Sequence, residues 1–363
     1  MAWTRADIPS LQGRTALVTG ANSGLGLETA RALAAQGATV LLACRSLAKA
    51  EQTATHLAAE GLSGLEPLEL NLADLESVRS AASAVATAHT SLDLLINNAG
   101  VMAPPLQRSA QGFELQLAVN HLGHFALTQA LLPLLERRPG ARVVHVSSGA
   151  AYFGRIAFDD LGAERRYDPW GAYGQSKLAN VMTALELQRR LSAAGSTVQS
   201  LVAHPGLART NLQPTSVASR GSRLEALAYR LMDPLFQSAA MGALPQLFAA
   251  TAAEAQPGVF YGPGGPANLK GHPAPCRMPP AARDALRRRT IGLVFQTLRL
   301  IPALSVTDNL ALAQQLALGH VDRAAIAGMI DRVGLAHRAA ARPRQLSQGE
   351  GQRAAIARAL ITR

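Results

Sequence analysis

A chain of 363 residues with 48% apolar content can hold one large domain plus an appendage, or two ordinary domains, and is too apolar for general disorder. Its formal charge of +11 is unevenly spread: residues 1–280 carry 22 Lys+Arg against 19 Asp+Glu, a net of +3, whereas residues 281–363 carry 13 against 5, a net of +8. No Lys/Arg block is interleaved with aromatics, so nucleic acid is not an expected partner, and Cys44 and Cys276 form neither a metal-ligand spacing nor a disulfide framework.

The N-terminal stretch "MAWTRADIPSLQGR" lacks an apolar h-region, so no secretory signal is expected. No run of 18 apolar residues occurs, so no membrane span is expected and a reducing cytoplasm is the default location. Strand-like runs follow in chain order: "TALVT" (15–19), "TVLLAC" (39–44), "LEPLEL" (65–70), "LDLLIN" (92–97), "ARVVHVS" (141–147), "TVQSLVA" (197–203) and "GVFY" (258–261). Ala/Leu-rich segments of helical length separate most of them. This βαβα rhythm predicts a parallel sheet covered by helices on both faces, and unbroken apolar strands suit burial on both sides. Residues 257–280 are rich in Gly and Pro, read as loop, and mark the expected domain boundary.

The first strand runs into "TGANSGLG" (Thr19–Gly26) and then a helical pattern. Gly20, Gly24 and Gly26 allow a tight turn and a close approach to a pyrophosphate, which the free N–H groups of the next helix attract. Such a turn alone is also a common structural device; its place between a first strand and a first helix favours a dinucleotide. An NAD site carries Asp or Glu about 20 residues on, at the end of the second strand. Here that end reads "LLACRSLAK". Arg45 stands there without a carboxylate, and its planar fork suits a 2′-phosphate, so NADP(H) is favoured over NAD(H).

"AYGQSKLAN" holds Tyr173 and Lys177, one helical turn apart on one face. A free phenol titrates near pH ~10; a neighbouring ammonium favours the phenolate and lowers that value. "VVHVSSGA" places Ser147 and Ser148 at the carboxyl end of a predicted strand, where a hydroxyl can hydrogen-bond a reacting oxygen. Each residue alone has a bland alternative: a packing tyrosine, a solvated lysine, a capping serine.

With "NNAG" (97–100), "VN" (119–120), "VSS" (146–148), "YGQSK" (173–177) and "HPG" (204–206) in this order, residues 10–280 resemble the short-chain dehydrogenase/reductase family. The resemblance implies a Rossmann-type doubly wound parallel sheet of seven strands, order 3-2-1-4-5-6-7, over residues 1–285. It implies Tyr173 as general acid/base, Ser148 as donor to the carbonyl oxygen and Lys177 as the group that lowers the Tyr173 pKa and holds the nicotinamide ribose. Asn120 would anchor a water in the proton relay. Around the cofactor it implies Gly20, Asn22, Ser23, Gly24, Leu25 and Gly26 at the turn, and Asn71 and Leu72 near adenine. Asn98, Ala99 and Gly100 would line the pocket, and Pro205, Gly206 and Thr210 would meet the nicotinamide end. At position 71 relatives often carry Asp. "ANSGLG", "ACRS", "HLGHFALT" and "GAYGQSKLAN" look most like the retinol dehydrogenase and protochlorophyllide-reductase-like branch. The implied reaction is reversible hydride transfer between nicotinamide and an alcohol/carbonyl carbon. Residues 215–236, where the family places a variable lid, are apolar enough to suggest a lipophilic small-molecule substrate; an ordinary core helix is the alternative. A homodimer is compatible with this reading.

Beyond residue 285 the chain resembles a different family. "IGLVFQTLRLIPALSVTDNLAL" and "QLSQGEGQRAAIARAL" are similar to the helical subdomain of an ATP-binding-cassette ATPase of the lipoprotein- or macrolide-export type. Gln296 would be its Q-loop glutamine, and Leu346, Ser347, Gln348, Gly349 and Glu350 its signature, with Gln348 in the usual glycine position. A Walker A loop needs Gly-Lys, yet the three lysines, Lys49, Lys177 and Lys270, follow Ala48, Ser176 and Leu269. No Asp-Glu dipeptide occurs. Residues 286–363 are therefore expected to be a mainly helical appendage, an incomplete ATPase subdomain that hydrolyses no ATP alone.

Overall fold

The computed structural model describes residues 2–209, 236–284, 300–301 and 304–361. The predicted lid (except Phe236), Thr210 and Gln296 lie outside the described residues. By its contacts the chain divides into two units, Met1–Pro279 and Pro280–Arg363.

In the first unit the elements run β1 (Thr15–Thr19), α1 (Gly24–Ala35), β2 (Thr39–Cys44), α2 (Leu47–Ala59), β3 (Leu65–Glu69), α3 (Leu75–Ala88), β4 (Leu94–Asn97), α4 (Gly123–Glu136), β5 (Arg142–Val146), α5 (Pro169–Ala193), β6 (Gln199–Ala203), α6 (Ala239–Thr251), β7 (Phe260–Pro263) and β8 (Pro273–Cys276). The strands form one sheet of order β3-β2-β1-β4-β5-β6-β7-β8. Pairing is parallel from β3 to β7, for example Leu17↔Leu41 and Leu17↔Leu95, and antiparallel only between β7 and β8.

The eighth strand corrects the expectation of seven. It forms inside the Gly/Pro-rich stretch read as loop. Pro273 and Pro275 donate no ladder hydrogen bond, which an edge strand tolerates because its outer side pairs with nothing. Pro67 occupies the opposite edge, in β3, for the same reason.

Successive strand residues point to opposite faces, and both faces are apolar. Ala16, Val18, Val40, Leu42, Ile96, Val144 and Leu201 join Leu33 of α1 and Leu247 of α6 in one core; Leu17, Leu41, Leu95 and Val143 join Val85 of α3, Leu131 of α4 and Leu187 of α5 in the other. The order reverses between β1 and β4, so their carboxyl ends open a crevice there, the switch point at which such sheets hold ligands. Among the described residues no helix is long and apolar enough to cross a membrane.

The second unit contains α7 (Val306–Leu318), α8 (Arg323–Arg332) and α9 (Gln348–Leu360). Its own small core includes Leu300, Val306, Leu310, Ile326, Ile330, Leu335 and Ala354. The signature-like serine caps α9: Ser347 Oγ accepts from the Glu350 N–H at 3.3 Å, and Glu350 Oε2 accepts from the Ser347 N–H at 2.8 Å. This reciprocal pair satisfies two orphan donors of the first turn.

Candidate active site

The glycine turn occupies the carboxyl end of β1. Gly20 and Gly24 have φ of +67° and +53°, a region that disfavours a side chain. A Cβ on Gly26 would lie 2.2 Å from the Gly20 carbonyl oxygen and 2.7 Å from Asn98 Nδ2, so only glycine lets α1 start this close to the turn. Ser23 is the N-cap of α1 and makes no side-chain cap bond, which leaves first-turn N–H groups available to an anion. Asn22, Ser23 and Gly24 are partly exposed; Leu25 and Gly26 are buried, so what they can offer a ligand is backbone. Cys44, ending β2, receives backbone N–H groups of Ala21 and Asn22, and burial pushes its thiol up to about 11. Arg45 next to it is exposed, with no ion pair or hydrogen-bond partner among the described residues.

Asn71 Oδ1 accepts from the Ala73 N–H at 3.2 Å, an Asx turn that leaves its amide NH₂ for a ligand. Leu72 is buried against Gly123, where a Cβ would meet the Leu72 carbonyl oxygen at 2.5 Å.

Thr19, at the start of the glycine turn, organises the next loop. Its Oγ1 accepts from the N–H groups of Asn98 and Ala99, each at 2.9 Å, and contacts His124 Nε2 at 2.8 Å. His124 Nδ1 lies 3.1 Å from the Asn120 carbonyl oxygen. A carbonyl only accepts, so Nδ1 carries the proton and Nε2 accepts from the Thr19 hydroxyl. This neutral imidazole is fully buried, and desolvation lowers its pKa to about 3. Asn98 Nδ2 also donates to the Thr19 carbonyl at 2.8 Å, and Gln246 of α6 reaches both Asn98 Oδ1 and Thr29. These bonds hold Asn98, Ala99 and Gly100 at the crevice, each partly exposed.

Asn120 lies in a π-helical turn, Ala118–Leu122, just before α4. Its side chain is fully engaged: Oδ1 accepts from the Val101 N–H at 2.8 Å, and Nδ2 donates to the Val101 carbonyl and to Ser176 Oγ, each at 2.9 Å. The side chain therefore shapes the turn.

The two serines after β5 differ. Ser147 is buried and donates to the Lys177 carbonyl at 2.8 Å, pinning α5 to the strand. Ser148 is half-exposed, and its Oγ accepts from the Ala150 N–H at 3.2 Å, so its own proton is left to donate. Asp168 caps α5 through the Trp170 and Gly171 N–H groups, with Pro169 at the first helical position. Tyr173 follows, 6% exposed, with Trp170 edge-on to its ring at 6.1 Å. One turn on, Lys177 is 4% exposed; its Nζ donates to the Val146 carbonyl at 3.2 Å and lies 5.9 Å from the Tyr173 ring centre. Desolvation lowers the Lys177 pKa to about 8. A Cβ on Gly100 would come within 3.4 Å of that Nζ and 3.2 Å of Asn120 Oδ1, so glycine keeps the approach to the ammonium clear.

Beyond β6, Gly206 has a φ of +65° and sits where a Cβ would be 2.3 Å from the Leu269 carbonyl oxygen. Pro205 accepts from Gln237 Nε2 at 2.8 Å. Asn120, Ser148, Tyr173 and Lys177 thus gather at the carboxyl ends of β4 and β5, and the glycine turn and Arg45 at those of β1 and β2. Among the described residues no group of three or more His, Cys, Asp or Glu could hold a metal.

A short chain dehydrogenase family model matches residues 14–221, and an ABC transporter model matches residues 265–363. Retinol dehydrogenase 12 from Homo sapiens is 43% identical over 248 residues, 68% of this chain and 76% of the relative; retinol dehydrogenase 14 from Homo sapiens is 45% identical over 216 residues, 56% and 64%. The crystal structure of an uncharacterized protein from Mycobacterium Paratuberculosis superposes with a TM-score of 0.64 at 43% identity, covering 78% of this chain and 92% of that one. A short chain dehydrogenase from Burkholderia cenocepacia J2315 in complex with NADP does so with a TM-score of 0.54 at 25% identity, covering 69% and 96%. With its parallel sheet and the glycine turn at the switch point, this chain belongs to the short chain dehydrogenase family, here joined to a segment similar to ABC transporter ATPases.

Proposed function

We propose that residues 1–285 form an NADP(H)-dependent oxidoreductase that interconverts an alcohol and a carbonyl on a lipophilic small molecule, and that residues 286–363 take no part in the chemistry. The observation that carries it is Lys177. A buried ammonium has three donors, and the described structure assigns it one acceptor, the Val146 carbonyl. A ribose diol reaching past Gly100 would satisfy the others, so the residues present fit a nicotinamide nucleotide.

The bound nucleotide would supply or take up the hydride. For carbonyl reduction Tyr173 donates its phenolic proton to the oxygen, Ser148 donates a hydrogen bond to the same oxygen, and the Lys177 ammonium stabilises the phenolate left behind. Asn120 and His124 hold the turn against the Asn98–Gly100 loop. Exposed Arg45, followed by the free first turn of α2, offers a bidentate donor to a 2′-phosphate. The complex with NADP of a relative and the retinol substrates in other relatives' names support the cofactor and the substrate class. So do Trp170 beside Tyr173, and Phe153 and Phe158, 59% and 79% exposed in the segment after Ser148.

The test follows oxidation of NADPH and NADH with all-trans-retinal. NADPH should be preferred, and Tyr173→Phe should lower turnover by a factor of about 10²–10⁴ while NADPH binding stays near the parent's. Turnover within threefold of the parent would sink the assignment. An ATPase reading is disfavoured by the missing Gly-Lys within these residues.

A further inference from the structure

Beside Lys177 lies a polar cluster in which His124, His145 and Asn180 are buried and His121 is half-buried. His121 and His124 come from the turn and helix around Asn120, His145 from β5, and Asn180 from α5. Lys177 and Asn180, three residues apart on α5, share one acceptor: each donates to the Val146 carbonyl at 3.2 Å. A carbonyl only accepts, so the Asn180 atom facing it is the amide nitrogen. Asn180 Oδ1 therefore faces His121 Nδ1, 3.1 Å away, and that nitrogen carries the proton.

Resting on the oxidoreductase reading, we infer that Asn180, held in one amide orientation by His121, is a positioning residue for Lys177: it shares the Val146 carbonyl with the ammonium and turns a donor, not an acceptor, toward it. Two consequences follow. The carbonyl is divided between two donors, so the ammonium is held in place but not neutralised, and its charge acts on Tyr173. Were the amide to rotate, Oδ1 would turn toward the Val146 carbonyl and Lys177, adding a partial negative charge and removing a competing donor. The Val146 carbonyl opposes that rotation, since Oδ1 would then face another acceptor, and the His121 Nδ1–H from which Oδ1 accepts adds to the hold. The other titratable groups around Lys177 are Tyr173 on its own helix, His124 and His121 from the Asn120 side, and His145 from β5. The imidazoles are neutral near pH 7, since burial depresses all three. No carboxylate is hydrogen-bonded to them among the described residues, so the orientation of Asn180 is the adjustable dipole of the cluster.

The test titrates the Tyr173 phenol by ultraviolet difference absorbance, with Tyr173→Phe as the blank, and records the pH profile of kcat/KM for NADPH-dependent reduction of all-trans-retinal. Asn180→Asp adds a negative charge beside both groups, which raises their proton affinity. The phenol midpoint and both limbs of the profile should move to higher pH by about one unit. His121→Leu frees the amide to rotate and should give a smaller shift in the same direction. His121→Gln, whose amide can donate to Asn180 Oδ1, should restore the parent's midpoint. A purely structural role would lower stability and leave these midpoints in place. The inference is overturned if Asn180→Asp and His121→Leu both fold and superimpose on the parent; if Asn180→Asp does not fold, the contrast between His121→Leu and His121→Gln decides by itself. Turnover retained by Tyr173→Phe would sink the oxidoreductase reading instead, and the phenol titration would still judge the Asn180–His121 pair.

Discussion

The two units treat their motif residues in opposite ways. In the first, the residues of the short-chain motifs are tied across long stretches of chain: Thr19 to His124, Asn98 to Gln246, Asn120 to Ser176, Lys177 to Val146. Their polar groups are buried, and folding must bring distant segments together before any is satisfied. In the second, Ser347 and Glu350 of the signature-like segment satisfy each other three residues apart, as a helix cap, and Glu350 also takes Arg338 at 3.1 Å. That cap holds Glu350 down to about 2, with the Ser347 backbone N–H as the main cause. A motif whose members are spent on their own helix end is a structural device. A motif whose members converge from strand ends and helices far apart in sequence, with an ammonium buried among them, depends on the whole fold.

The largest expected contrast is acid lability. Burial holds His124 and His145 at about 3 and His204 at about 4, all in the first unit, against an ordinary value of 6.5. The folded pKa values are depressed, so below pH 6.5 the unfolded chain takes up protons that the folded chain refuses. Stability is therefore complete above that pH and is lost as pH falls toward 4, at a limiting slope of roughly 4 kcal/mol per pH unit for three such groups. Both tryptophans, Trp3 and Trp170, belong to the first unit. Urea unfolding followed by tryptophan fluorescence should shift to much lower urea between pH 7 and 5. An unchanged midpoint would contradict the buried, neutral imidazoles.

Next in size is Gly26→Ala. With the Gly20 carbonyl oxygen 2.2 Å from the new Cβ, α1 must move away from the turn, at a cost of about 1–3 kcal/mol, and NADPH affinity measured by fluorescence should fall at least tenfold. Normal affinity would mean that the start of α1 holds no pyrophosphate. Arg45→Asp is a smaller effect, confined to cofactor choice: the ratio of kcat/KM for NADPH over NADH should fall by roughly 10–100-fold, the worth of one charge-assisted pair. An unchanged ratio removes Arg45 from 2′-phosphate recognition. The smallest effects belong to the second unit. Ser347→Ala should cost about 1 kcal/mol of local helix stability by hydrogen exchange and leave NADPH oxidation within twofold of the parent. A chain ending at Pro279, which retains the whole eight-stranded sheet, should likewise keep its reductase activity; loss of activity in a folded protein would make the appendage a working part of the enzyme.

Much of the first unit was legible beforehand because its signals are local. "TALVT" into "TGANSGLG" is read from apolar runs and glycines, and β1, α1 and the positive φ of Gly20 and Gly24 follow. Tyr173 and Lys177 were found together because helical spacing alone puts them on one face. β8 was hidden, since Pro273 and Pro275 speak against a strand until one knows that it is an edge. Thr19, His121 and His124 were hidden for another reason. Nothing in their own neighbourhood marks them as bonded, because the partners that matter, His124 for Thr19 and Asn180 for His121, lie dozens of residues away. Their one local signal, the imidazole pair three apart in "HLGHFALT", is equally that of a packed helix.

Composition, periodicity and short motifs by themselves determined the parallel sheet, the glycine turn, the arginine at the end of β2 and the lack of any Gly-Lys, because each depends on neighbours along the chain. Tertiary structure alone decided which serine pins the helix and which keeps a proton to donate. It also decided that the Asn120 side chain builds its turn, that Lys177 is buried with one assigned acceptor, and that Asn180 turns a donor toward it. Those properties belong to distances between segments far apart in sequence, and burial, which sets the energy of every charge in the site, exists only once those segments have packed together.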